Sequence, residues 1–132
     1  MKKFINNLKE LKKHNVVAIK QSLEDEGASF EEIKIMRKIT KKAGLQHNIK
    51  VGGCEAKTDI FFCEKVGVSG IVAPMVETSY GLRKFIQILT NNKRQNLYIN
   101  IASINAFNNI SKILKSKDFK KLTGLVIGRS DL

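Results

Sequence analysis

Apolar residues fall along this chain in two alternating rhythms. Over residues 2–13, Phe4, Ile5, Leu8 and Leu11 lie on one helical face. The run Val16-Val17-Ala18-Ile19 then reads as a strand. Residues 29–42 return to the helical period through Phe30, Ile33, Met36 and Ile39. Ser29 with Glu32 forms a capping box that fixes the start of this helix, and Gly44 stops it. The pattern continues with a strand at 49–51, a helix at 58–66 closed by Gly67, and a buried strand at 70–75. A helix at 79–89, a strand at 97–101, a helix at 106–114 and a strand at 124–128 complete it.

Strict alternation of helix and strand demands parallel strands joined by right-handed crossovers. Two architectures fit: part of a (β/α)8 barrel, or a five-stranded doubly wound sheet. The chain stops at Arg129-Ser130-Asp131-Leu132, directly after a strand, with no helix to cover it. A doubly wound domain usually closes on a helix. The expectation is therefore a partial TIM barrel of about five strands. Residues 1–132 would be a single (β/α) domain, incomplete at the C-terminus, since a whole barrel needs about 250 residues.

Composition narrows the class. The 132 residues are 42% apolar and 27% charged, a globular balance. No apolar run reaches the length of a membrane span. The basic start has no apolar core of a signal peptide. A cytoplasmic protein is expected, with Cys54 and Cys63 as free thiols too few and too far apart for zinc. The net charge of +12 comes mostly from lysine, shared between both halves of the chain. With no RNP motif and few arginines, this reads as solvated helix faces and speaks against nucleic acid.

Ligands collect at the carboxyl ends of strands in either architecture. His14 and His47 precede strands and so belong at the opposite end, as surface residues. The strand ends carry Lys20 with Glu24, Asp25 and Glu26, then Lys50 with Gly52, Gly53 and Glu55. Glu77, Asn100 and Arg129 with Asp131 follow. If Val17, Ile19, Ile49 and Val51 face the helices, Lys20 and Lys50 face inward. Inward lysines need partners, which Glu24, Glu26 and Glu55 are placed to supply. One reading is an anion-receiving pocket; the other is two lysines snorkelling to water. The Gly52-Gly53 amides either cradle an anion or make a tight turn.

The run Ile49-Lys50-Val51-Gly52-Gly53-Cys54-Glu55-Ala56-Lys57-Thr58-Asp59-Ile60 is distinctive. So is Ile71-Val72-Ala73-Pro74-Met75-Val76-Glu77-Thr78. With Glu24-Asp25-Glu26-Gly27-Ala28 upstream and Gly128-Arg129-Ser130-Asp131-Leu132 at the end, the whole chain resembles the HpcH/HpaI aldolase and citrate lyase beta-subunit family. It is most similar to a branch carrying the G-G-C-E-A-K run. The resemblance implies a barrel of the phosphoenolpyruvate/pyruvate-binding type. It implies a lyase that makes or breaks a carbon–carbon bond beside a keto acid or acyl thioester, with Mg2+ or Mn2+ at the barrel mouth.

Carried over by position, the resemblance gives Asp131 as a metal ligand and Lys50 as the group meeting the substrate carboxylate. Glu26 would hold Lys50 or shuttle protons, and Arg129 joins Lys50 and Glu26 as a candidate catalytic residue. Lys20, Glu24, Gly52, Gly53 and Glu55 are candidate substrate contacts. One departure stands out. The family reads I-E-T where this chain has Ile101-Ala102-Ser103, and alanine cannot coordinate a cation. Glu77 could replace the lost ligand, though an acid there more naturally caps the following helix. The chain is thus expected to be a divalent-metal-dependent lyase, impaired where nothing replaces the lost glutamate. The alternative is a degenerate, non-catalytic paralogue or fragment that binds a ligand or a partner subunit. A Schiff-base lyase using Lys20 or Lys50 is a further option. A homo-oligomer or a completing chain would close the barrel.

Overall fold

A computed structural model describes residues 1–90 and 95–129. Its elements are α1 (Lys2–Lys13), β1 (Ala18–Ser22), α2 (Phe30–Ala43), β2 (Gln46–Lys50), α3 (Lys57–Val66) and β3 (Gly70–Ala73). They continue with α4 (Ser79–Ile88), β4 (Asn96–Ile101), α5 (Ile104–Asn108), α6 (Ile110–Lys115), a 3-10 turn (Lys117–Lys121) and β5 (Gly124–Ile127). The described strands form one parallel sheet in the order β1-β2-β3-β4-β5. A doubly wound sheet reverses strand order at a switch point; this one never does. Right-handed crossovers between successive neighbours put every helix on one face, so the sheet is a curled half-barrel and the doubly wound alternative falls away.

The core lies between that outer face and the helices. Ile49, Val51, Ile71, Ala73, Leu97, Ile99 and Ile101 are buried there against Ile33, Ile60, Leu82, Phe85 and Ile113. A smaller cluster joins α1 to α2 through Leu8, Ile39, Ala43 and Leu45. Helix α1 buries only Leu8; Phe4 and Leu11 remain exposed, at 43% and 44%.

Local signals set most boundaries. Ser29 Oγ accepts from the Glu32 amide at 3.2 Å, and Glu32 accepts back from the Ser29 amide at 2.8 Å. Ser29→Ala is expected to destabilise the fold by about 1 kcal/mol, read as a lower urea midpoint. Gly44 ends α2 in the left-handed region at φ 71°, where a side chain would be strained.

Several expectations shift, among them the second strand, expected at 49–51 and found at Gln46–Lys50, so that His47 lies within it. The first strand starts at Ala18, not Val16, because Asn15 turns at φ 63° and leaves Val17 70% exposed. The third strand stops at Ala73 because Pro74 has no amide to donate and Met75 turns at φ 48°. The single helix expected at 106–114 breaks at Asn109 into α5 and α6.

Candidate functional site

Side chains alternate across the sheet, so the residues between the core positions face the concave side. On β2 these are Asn48 and Lys50; on β4 they are Asn96, Tyr98 and Asn100. Register places Lys20 beside Asn48, and Ser22 beside Lys50 beside Val72 beside Tyr98. Lys20 and Lys50 therefore share the concave face but not a layer. Lys20 sits within its strand, one step nearer the amino ends.

A cavity of about 750 Å³ opens at the carboxyl ends of the strands. Its polar wall is Glu24, Asp25, Lys50, Asn100 and Ser103; its apolar wall is Val51, Pro74, Met75 and Ala102, with Gly52 between. Only 17% of the Lys50 side chain is exposed, and its ammonium is ion-paired with Asp25. Sequence spacing pointed to Glu24, Glu26 or Glu55 for that role. Glu26 instead pairs with Lys20 at 3.5 Å and accepts from the Ser22 amide at 3.1 Å, on the open side of β1. Glu55 pairs with Lys84 on α4 at 3.2 Å, outside the cavity. Glu24 lies over Gly52, where a Cβ would meet its Cγ at 2.9 Å.

The Gly52 amide is already taken: it donates to Asp59 Oδ2 at 2.8 Å. That favours the tight-turn reading of Gly52-Gly53, leaving Gly53 open on its Cβ side. Glu77 does not cap α4, which is capped by Thr78 accepting from the Gly81 amide at 3.1 Å. Glu77 instead receives Ser103 Oγ at 2.6 Å and Asn105 Nδ2 at 2.9 Å. These hydrogen bonds hold its carboxyl below the usual carboxylate range. They tie the loop after β3 to the start of α5, and so keep Ser103 at the cavity edge. Arg129, which ends the described segment, is exposed. Asp131 lies outside the described residues.

The donors at hand do not compose a divalent-cation site. Asp25 gives Oδ2 to Lys50, both Glu77 oxygens are committed to Ser103 and Asn105, and Glu24 remains as a lone carboxylate on the cavity. Ala102 offers nothing, and Asn100 Oδ1 is one buried acceptor without a partner. No group of three acidic, histidine or cysteine side chains able to hold a metal occurs among the described residues.

Both thiols are favoured in the protonated form. Burial, with Asp59 and Glu64 adding, pushes Cys63 up to about 12; burial, then Glu55, raises Cys54. Both are free, as expected. His14 is exposed, but His47 is no surface residue. It stands at the amino end of β2, yet its ring is wholly buried behind α2. Sequence reasoning missed Asp25, Met75 and Ser103 as cavity residues. Asp25 stood in the acidic run already singled out, and Met75 in the Pro74-Met75 step that ends a strand.

The structure has a partial (β/α)-barrel fold, with five parallel strands among the described residues. Crystal structures that it resembles include the citrate synthase SbnG, at TM-score 0.81 and 14% identity over 97% of this chain and 58% of that one. Others are an HpcH/HpaI aldolase from Desulfitobacterium hafniense (0.78, 15%, 97% and 59%) and an HpcH/HpaI aldolase/citrate lyase family protein from Burkholderia cenocepacia (0.81, 11%, 97% and 61%). This chain spans about 60% of the length of those chains. No protein-family model matches the sequence, and no curated protein matches it. The fold shared with these structures is that of the family whose motifs the sequence resembles.

Proposed function

We propose that this chain supplies the substrate-binding portion of a carbon–carbon lyase of the aldolase and citrate lyase type, acting on a keto acid or acyl thioester. The observation that carries the reading is Lys50, largely buried in a strand-end cavity and positioned by Asp25. An ammonium there receives a carboxylate through a charge-assisted hydrogen bond. Asn100 lines the same cavity with an unpartnered oxygen, and Glu77 fixes its far edge through Ser103. Glu26 contributes by holding Lys20 and closing the top of the β1 edge, where Ala28 N also donates to Ser22 O at 3.2 Å. Further strands, from this polypeptide or a partner, would pair with the outer edge of β5, where Val126 and Ile127 are exposed. No helix among the described residues is long and apolar enough to cross a membrane.

The metal part of the reading rests on Asp131, since the described donors do not fit a cation. Ala102 favours a second reading, a chain that binds a carboxylate ligand without turning it over. Both are tested by assaying a 4-hydroxy-2-oxo acid for release of pyruvate, with and without added magnesium or manganese, beside a pyruvate-binding titration by NMR. Pyruvate binding with turnover supports the lyase. Binding without turnover in either condition supports the second reading. Absence of pyruvate binding overturns both.

A further inference from the structure

The apolar wall of the cavity has no part in receiving a carboxylate. Met75 is 67% exposed on that wall and adopts φ 48°, a left-handed conformation that side chains other than glycine rarely take. Its neighbours Pro74 and Val76 are both buried, and they hold it there. An exposed methionine in a strained conformation adds little to the core, and strain kept at a cavity is a mark of ligand contact. From the end of the neighbouring strand Ala102 lines the same cavity, at the position where the family that the sequence resembles carries a glutamate. Gly128 packs closely on Ala102: a Cβ on it would come within 2.7 Å of the Ala102 Cβ and 3.3 Å of Asn100 Oδ1. Pro74, Met75 and Ala102 thus make an apolar part of the lining, bordered by Asn100 and Ser103, in a cavity with a single ammonium.

We infer that Met75 and Ala102 determine specificity, by receiving the hydrocarbon chain of a 2-oxo monocarboxylate whose carboxylate lies on Lys50. This rests on the carboxylate-binding reading above and names its substrate class. A second carboxylate on the ligand would lose its hydration against Met75 and Ala102. Turned to the polar wall, it would face Glu24 and Asp25. A flexible thioether, by contrast, adapts to aliphatic chains of varied shape. The cavity of about 750 Å³ is ample for such a chain.

The test is isothermal titration of the full chain with pyruvate, 2-oxohexanoate and oxaloacetate. The expected order is 2-oxohexanoate about tenfold tighter than pyruvate, well under the limit set by complete burial of three methylene groups, with oxaloacetate weakest. Met75→Ala is expected to cut the ratio of the first two to about threefold, and Met75→Leu to keep it near tenfold. Ala102→Asp, a second variant on the same wall, should erase it. Equal affinity for pyruvate and 2-oxohexanoate overturns the inference and leaves carboxylate binding standing. So does tightest binding of oxaloacetate. A ratio that stays near tenfold in both Met75→Ala and Ala102→Asp overturns the placement of the chain on this wall. Failure of all three acids to bind overturns the inference together with the reading beneath it.

Discussion

Lys50→Met is expected to weaken pyruvate binding about 100-fold, to the point where an NMR titration no longer saturates. Two effects add. The variant removes a charge-assisted hydrogen bond worth about 1.5–3 kcal/mol. It also leaves the Asp25 carboxylate without its counter-charge, beside an incoming anion. A total near 3 kcal/mol is about a hundredfold in affinity. Asp25→Asn has the opposite sign: it frees the ammonium and removes a competing negative charge, so pyruvate should bind a few-fold tighter. The double variant should recover part of what Lys50→Met loses, which makes the pair non-additive. Lys50→Arg keeps the charge and should stay within about tenfold of the parent. A change below about threefold in Lys50→Met would show that the carboxylate does not sit on this lysine.

Why Lys50 was legible, and its partner was not, follows from the range of each cause. Ile49 and Val51 flank Lys50 with apolar residues, so alternation alone turns it to the concave face. Its partner depends on how three consecutive acids, Glu24 to Glu26, are displayed by the loop after β1, and spacing does not encode that. The capping box at Ser29 and the stop at Gly44 were readable because each acts within four residues. Glu77 acts across 26 residues on Ser103, so local logic assigned it to the wrong helix. Val16 and Val17 show the limit of composition: β-branched residues favour a strand, but here they link the turn at Asn15 to an edge strand, and Val17 is largely exposed. Residues 96–101 show what was available and unused. Leu97, Ile99 and Ile101 alternate with Asn96, Tyr98 and Asn100, which already marks a concave face too polar for an ordinary packed barrel interior.

His47 carries the second large prediction, and alternation with Ile49 and Val51 could have placed it on the buried face. Its Nε2 lies 2.9 Å from Gln21 Oε1, and its Nδ1 is buried without a partner. Arg37 of α2 stands close by, held by Gly67 O at 2.8 Å and Ser69 Oγ at 3.3 Å. With Nε2–H donating to Gln21, protonation would put a second N–H on Nδ1, with no acceptor, near a guanidinium. Burial first, then the Arg37 charge, lowers the ring to about 4 from an ordinary value of 6.5. The folded state therefore keeps His47 neutral where the unfolded chain protonates it. The associated stability is complete above pH 6.5 and is lost as pH falls from 6.5 towards 4, with no further loss from this group below that. Two and a half pH units correspond to roughly 3 kcal/mol, of which roughly 2 kcal/mol is gone by pH 5. Urea unfolding at pH 7.5 and pH 5 reads this loss while carboxylate protonation still contributes little. His47→Gln keeps a donor for Gln21 but cannot titrate, so its stability should be nearly flat over the same interval, even if lower throughout. An equal fall from pH 7.5 to pH 5 in parent and variant would show that another group, and not the ring behind α2, sets the acid sensitivity of the fold.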